Sequence, residues 1–448
     1  MKSKKTKWLL LLLCIVGNFF AQETGKKSFT LQEAIDYALT NHTNLKNAQL
    51  DIELAALKRK EIRGIGLPQI SGSFDLKDYV KLPTQLLPAE VFGGPPGTFI
   101  PIRFGTTYNA TGGISGSQIL FNSDYIVALQ SSSTFAELSQ KNYQRTRVDI
   151  IAAVSKAYYT VLINHERIKL VDVNIERLKK LYDETELLNK SGFVEKIDVD
   201  RLLVSYNNLL TEKSKLDKLI GVTESLLKFQ MEFDLKTPII LKDSLNFSQL
   251  PIINAMADTN FNYSNRIEYS LLESQKEINE LELKRDRLSY LPNIFLYGSM
   301  NTQAQRNDFD IFDTSKKWYP ISVVGLTISV PILSGGQKHY KVQQSKLNLQ
   351  KAIHSLENLK TAIDLDIQVA KTTYMNALSS IEMQKTNMEL SENVFNVAKL
   401  KYQQGVGSSI EILNAETSLK EAQTNYYNAL YELYIAKIDY EKASGIIK

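Results

Sequence analysis

Leu67-Pro68-Gln69-Ile70 and Leu291-Pro292-Asn293-Ile294 are two copies of one signal, a proline-marked entry into a strand, and the residues upstream of each proline align without a gap. The likeness continues downstream. Ile119-Leu120-Phe121-Asn122 parallels Pro331-Ile332-Leu333-Ser334, and Gly192-Phe193-Val194 with Ile197-Asp198-Val199 parallels Gly405-Val406-Gly407 with Ile410-Glu411-Ile412. Self-similarity of this kind marks a duplicated architecture. Each half reads as helix, strand, strand, long helix, glycine turn and returning helix. Gly192 and Gly405 stand where a rod must reverse, and glycine tolerates the left-handed backbone that ends a helix.

Proline placement supports the long rods. All eleven prolines fall in 68–101, 238–251 or 292–331, leaving 102–237 and 332–448 free of them. Within 151–182, Ile151, Val154, Tyr158, Val161, His165, Ile168, Ile175, Leu178 and Tyr182 recur at three-four spacing. That is the seam of a coiled coil, with His165 expected as a packed residue. A helix over 125–189 would be about 95 Å long at 1.5 Å per residue.

The proline-containing stretches alternate instead. Ile70, Gly72, Phe74 and Leu76 interleave with Gln69, Ser71, Ser73, Asp75 and Lys77, and Val324, Leu326, Ile328 and Val330 with Val323, Gly325, Thr327 and Ser329. Segments 107–121 and 291–302 are weaker versions. A strand between lipid and a wet lumen has this pattern, and so does a half-buried strand of a soluble sheet. Residues 81–105, rich in proline and glycine, read as a long irregular loop. Residues 303–317, with Asp308, Asp310 and Asp313, read as a solvated loop rather than a calcium site. Four strands cannot close a membrane barrel, since the smallest have about eight. Copies must pool their strands, and the count permits two, three or more chains.

Lys2, Lys4, Lys5 and Lys7 followed by the apolar Leu9–Val16 and small Ala21 form a secretory signal, with cleavage expected before Gln22. The single cysteine, Cys14, follows Leu13 rather than a small residue, so it is expected to leave with the signal and not to carry lipid. The 53 Lys and Arg exceed the 49 Asp and Glu by those four lysines, so the remainder is neutral and offers nothing to nucleic acid. No later stretch is apolar for a membrane helix, so an exported chain in a membrane must use strands. His42, His165, His339 and His354 lack partners at zinc spacing. Gly335-Gly336 lacks a phosphate-loop pattern and marks the strand-to-helix turn. No nucleophile or catalytic pair stands out, and the chain reads as a non-enzyme with no cofactor or metal.

These residues resemble the TolC-like outer-membrane efflux protein family, through the doubled Leu-Pro-x-aliphatic entry and through Tyr402-Gln403-Gln404-Gly405 followed by Ile410-Glu411-Ile412-Leu413-Asn414-Ala415. The resemblance covers about 30–445. It implies an α+β membrane protein, a long antiparallel α-helical coiled-coil tunnel with four strands per chain given to a shared transmembrane β-barrel. Its order is a signal peptide over 1–21, helices over 22–66, a first barrel hairpin over 67–121 and a helical hairpin over 122–232 with its tip near 190–196. An equatorial segment over 233–264, a helix over 265–290, a second barrel hairpin over 291–333 and a helical hairpin over 334–448 with its tip near 403–409 follow.

The same resemblance implies an outer-membrane channel reaching into the periplasm, a homotrimer with a twelve-stranded barrel. It would be the passive exit duct of a tripartite efflux or type I secretion system, docked to a periplasmic adaptor protein and an inner-membrane pump. By position, Glu411 forms the pore constriction and Asn414 the next ring inward, while Asp198, Tyr402, Gly192, Gly405 and Gly407 belong to the gate and tip. Asn414 replaces an acid and Gly407 an arginine of the family pattern, which implies about three rather than six charges in the ring and a closed state held by other contacts. An acid in a first helical turn also suits the helix dipole, and that reading stays open for Asp198 and Glu411. The alternative is a non-channel periplasmic coiled-coil scaffold or adhesin, which leaves the two hairpins unexplained. The cargo and the identity of the pump are not written in the residues.

Overall fold

The computed structural model describes residues 27–245 and 261–447. The expected signal over 1–21, Cys14, the start at Gln22 and residues 246–260 of the expected equatorial segment lie outside the described residues. In chain order come β1 (Lys27–Phe29), α1 (Leu31–Asn41), α2 (Thr43–Ile65), β2 (Gln69–Asp78), β3 (Thr84–Pro88), β4 (Phe99–Arg103), β5 (Tyr108–Phe121), α3 (Ser123–Lys190), α4 (Lys196–Met231) and β6 (Ile239–Leu241). Then follow α5 (Ile267–Leu288), β7 (Asn293–Arg306), β8 (Tyr319–Ser329), α6 (Gln337–Gln403) and α7 (Ser409–Ala443). Helices α3 and α6 run 68 and 67 residues without a break, as a proline-free sequence allows.

The chain divides into two units. One comprises 47–145 and 266–362 and carries a four-stranded antiparallel sheet in the order β2-β5-β7-β8. The central pair, β5 and β7, joins the two repeats through a register from Tyr108↔Arg306 to Phe121↔Ile294, with a bulge between Ile119 and Phe121. Because directly opposed residues share a face, the register sorts the sheet into two surfaces. Ile70, Phe74, Ile114, Leu296, Met300, Val324, Leu326 and Ile328 fall on one; Gln69, Ser71, Ser73, Asp75, Ser115, Thr111, Asn301 and Gln303 fall on the other. The apolar face lies open: Ile70 is 76% and Val324 82% exposed. At the end of the sheet near β7's last residues, Ala110, Ala304 and Ile311 form a small core under Tyr108 and Trp318.

One part of this unit differs from the sequence expectation. Residues 81–105 are not irregular throughout: β3 and β4 pair antiparallel from Thr84↔Arg103 to Pro88↔Phe99, around a 3-10 turn over Ala89–Phe92. Pro88 and Pro101 lie inside that hairpin, and an isolated two-stranded ribbon leaves outer edges where a missing N–H costs nothing. In the second loop Asp310 pairs with Lys316 and lies 3.5 Å from Arg306. Asp313 accepts from the Ser315 amide at 2.9 Å and hydroxyl at 2.6 Å. The Ser315 hydroxyl, foremost, holds the Asp313 carboxyl below its usual range. These carboxylates are spent on their own loop.

In the same unit, the last turn of α5 is tied to the early turns of α6. Buried Asp286 accepts from the Ser345 hydroxyl and from Arg285 at 3.1 Å. Burial alone would raise its carboxyl, but Ser345 and Arg285 outweigh it and leave the group below the usual range.

The other unit holds 27–46, 146–245, 261–265 and 363–447. Its core is a bundle of α3, α4, α6 and α7, with one cluster built on Leu178, Leu181, Leu202, Phe395, Ile412 and Leu419 and another on Ile163, Tyr374, Ile381, Leu430 and Leu433. On α3, Val154, Tyr158, Val161 and Leu178 are buried, but so are Val171, Asn174, Leu181 and Thr185, while Ile151, Ile168, Ile175 and Tyr182 are half-buried. The buried stripe is wider than a two-helix seam because α3 meets more than one neighbour. His165 is not core packing: it sits half-exposed with Nε2 3.0 Å from Glu224 of α4. Strands β1 and β6 pair in parallel, a contact between the two ends of the first repeat, and Asp243 beyond β6 accepts from the Leu31 amide at 2.8 Å and the Tyr158 hydroxyl at 2.9 Å. Glu232, which ends α4, is the one non-glycine among the described residues in the left-handed region, with φ +51°. Its carboxylate accepts from the Thr43 amide at 2.9 Å and hydroxyl at 2.6 Å at the start of α2.

Candidate constriction at the helical turns

The two glycine turns close the helical hairpins in the same way. After α3, the Phe193 amide bonds to the Leu188 carbonyl at 2.9 Å and the Gly192 amide to that of Asn189 at 2.9 Å. After α6, Val406 bonds to Lys401 at 3.1 Å and Gly405 to Tyr402 at 3.0 Å. This paired bonding is the Schellman stop, which needs a left-handed residue, and Gly192 and Gly405 supply it with φ of +78° and +73°. Gly407 is different. Its backbone is not left-handed, but a Cβ there would stand 3.0 Å from the Lys401 Cβ and the Tyr402 amide nitrogen, so an arginine would require the turn to give by a few tenths of an ångström.

Asp198 and Glu411 occupy the same place in their repeats, the third residue of the returning helix, and their surroundings have diverged. Asp198 accepts a hydrogen bond from the hydroxyl of Ser409, the first residue of α7, and lies 3.5 Å from Arg201. Its helix has no side-chain cap, since Glu195 stands at the N-cap position. Glu411 belongs to a helix that is capped: the Ser408 hydroxyl accepts from the Glu411 amide at 3.2 Å. The Glu411 carboxylate turns to Lys401 of α6, with Nζ 3.2 Å away. Asp198 is half-buried, and Glu411 is exposed.

Tyr402 is buried, and its hydroxyl lies 3.2 Å from that of Thr185 on α3, which is fully buried. Burial pushes the Tyr402 phenol up. Gln403 donates to Glu184 at 3.0 Å. Asn414 makes none of these contacts; it lines an open groove of about 540 Å³ between α6 and α7 together with Lys401, Glu411, Val397 and Ser418. Behind the groove Glu416 is buried. Burial raises its carboxyl, with Lys420 and Arg177 acting against that rise. Of the seven residues singled out from sequence, Asp198, Tyr402, Glu411 and Asn414 thus gather with the three glycines around the two turns. Ser409, Thr185, Ser408 and Lys401 are the partners that sequence reasoning missed. Only Ser408 carried a local signal, a serine three residues before an acid at a helix start; the others lie across the bundle.

Among the described residues no group of three His, Cys, Asp or Glu could hold a metal ion, and no helix is long and apolar enough to cross a membrane. Residues 271–445 match the family model described as outer membrane efflux protein. Outer membrane protein TolC of Escherichia coli (strain K12) is 20% identical over 361 residues, which are 77% of this chain and 71% of that protein. The probable efflux pump outer membrane protein TtgC of Pseudomonas putida is 20% identical over 447 residues, 95% of this chain and 85% of that protein. The outer membrane protein VceC of Vibrio cholerae, known from its crystal structure, shares the fold with a TM-score of 0.74 at 14% identity, over 93% of this chain and 96% of that one. The family model takes in the second repeat, the TtgC alignment takes in both, and the VceC fold spans the sheet and the helical hairpins: residues 271–445 carry the outer membrane efflux protein pattern, and the chain is similar in sequence and in fold to TolC-like outer-membrane efflux proteins.

Proposed function

We infer that the chain is an outer-membrane exit duct, extending into the periplasm, of an efflux or type I secretion system. It acts as a passive conduit, without catalysis, gated at its helical turns. The observation that carries this reading is the four-stranded sheet. Its β2 and β8 edges have no partner among the described residues, and one face exposes a run of large apolar side chains (Ile70, Phe74, Ile114, Met300, Val324 and Ile328) while the other carries the Gln69, Ser71, Ser73 and Asp75 series of β2 with Asn301 and Gln303 of β7. Open edges are pairing sites, and an apolar face of this extent requires lipid or protein against it. Three copies joined β8 to β2 give twelve strands, lipid outside and water within.

The helical hairpins then form the periplasmic tunnel, and the turns at Gly192 and Gly405 its tip. Glu411 lines the constriction with Asn414 beside it, and Asp198 and Tyr402 hold the closed arrangement. A periplasmic adaptor and an inner-membrane pump dock there and supply the energy, since no residue set in the chain is suited to nucleotide hydrolysis. The test is native mass spectrometry of the protein extracted in detergent from purified outer membranes. The expected species is a trimer of chains shortened at the N-terminus. A water-soluble monomer absent from that membrane sinks the channel and leaves a coiled-coil scaffold.

A further inference from the structure

We propose that Lys401 is a specificity-determining residue of the channel: it pairs with Glu411 in each chain and makes the constriction a ring of mixed sign with no net charge. This rests on the reading that Glu411 lines the pore. Lys401 Nζ stands 3.2 Å from Glu411 Oε1, so wherever that carboxylate faces, the ammonium faces with it. The groove they share holds no other ionisable side chain; its remaining polar lining is Asn393, Asn414 and Ser418. One cation and one anion per chain cancel, so the three net negative charges that Glu411 alone would give a trimer are absent.

Comparison of the repeats isolates the lysine. Aligned on the two turn glycines, Lys401 corresponds to Leu188, and Glu411 to Asp198. In the first repeat the acid is answered by a hydroxyl from the opposite hairpin and by Arg201 one turn on. In the second repeat the place of Arg201 is taken by Asn414, and the answering charge comes from α6 instead. The two repeats balance their acids by different residues, and in the second that balance is exposed to the groove.

A neutral ring of alternating sign does not sort small ions by charge, and it offers a contact to each end of a zwitterionic or anionic solute that an all-acidic ring repels. Uncovering one charge has a readable effect, because a unit charge met at about 4 Å in a watery pore changes ion occupancy about fivefold. The measurement is the reversal potential of single channels of the full-length protein in a potassium chloride gradient.

Wild type is expected near zero, Lys401→Met to become cation-selective by about fivefold or more, Glu411→Gln to become anion-selective, and the double variant to return toward wild type. Lys401→Gln is read in its place if the methionine variant forms no channels. If Glu411→Gln shifts the potential and neither Lys401 variant does, the lysine is not in the pore and the proposal is overturned while Glu411 keeps its place. A strongly cation-selective wild type overturns it as well. If neither position shifts the potential, the constriction itself lies elsewhere.

Discussion

The hydroxyl of Ser409 donates to the carboxylate of Asp198, joining the first turn of α7 to the first turn of α4 across 211 residues of chain. A hydrogen bond to a charged group is worth about 1.5–3 kcal/mol, which is enough to hold two helical hairpins in one arrangement. Ser409→Ala is expected to raise single-channel open probability and to admit solutes that wild type excludes. Asp198→Asn, which still offers an acceptor, should do so less. If Ser409→Ala leaves gating unchanged, Asp198 serves only as a favourable charge at its helix start.

Tyr402 and Thr185 make the second link between the hairpins, and here both partners are buried. Removing one hydroxyl strands the other without water, at a cost of about 1–3 kcal/mol, while removing both is close to neutral. Tyr402→Phe is therefore expected to lower the thermal midpoint of the detergent-solubilised protein. Tyr402→Phe combined with Thr185→Val should recover most of the loss. A double variant worse than the sum of the singles would show that packing, not the hydrogen bond, governs the site.

The burial of Glu416 is expected to give the helical turns a pH dependence. Burial raises its carboxyl above the ordinary range, near 4.3 for free glutamate. A group raised on folding contributes stability that is fully present below its unfolded pKa and lost as pH rises through the folded value. Glu416→Gln should therefore stabilise the protein at pH 7 more than at pH 4. Equal midpoints for wild type and variant across that range would mean that Lys420 and Arg177 fully offset the burial.

In the sheet, Gly113 and Gly72 make a matched pair for substitution. A Cβ at Gly113 would overlap the Met300 carbonyl oxygen and the Asn301 side chain, with the Asn301 Cα at 2.6 Å, whereas at Gly72 the nearest atom is 3.8 Å away. Gly113→Ala must push β7 off β5 and is expected to cost about 1–3 kcal/mol, seen as fewer assembled oligomers on semi-native gels. Gly72→Ala should assemble like wild type.

The fold class was legible because it repeats. Two weak Leu-Pro signals and two glycine turns, each unremarkable alone, occur in the same order twice, and the absence of proline permits the long helices. Contacts between distant segments were not legible. Parallel pairing of β1 with β6 joins residues over 200 positions apart, and nothing local in Lys27–Phe29 announces it. The β3-β4 ribbon was hidden by its prolines, whose cost depends on which edge they occupy. Glu232 breaks the rule that a left-handed helix stop wants glycine, and Thr43 supplies the reason only after folding. At the tip the residue types were visible, but the answering groups Ser409, Thr185 and Lys401 were not, because side-chain pairing across a bundle leaves no spacing in one sequence.

The unpartnered edges of the sheet also bear on inheritance. If each β8 must meet the β2 of the next chain, a ring is only as sound as its worst seam. A variant with a defective edge, such as one whose β2 ladder is broken by a proline at Ser73, would enter rings made otherwise of normal chains and spoil them. Co-expressed with wild type, it should remove more channels than its own share of the chains, so that a recessive-looking lesion in one strand behaves as a dominant one.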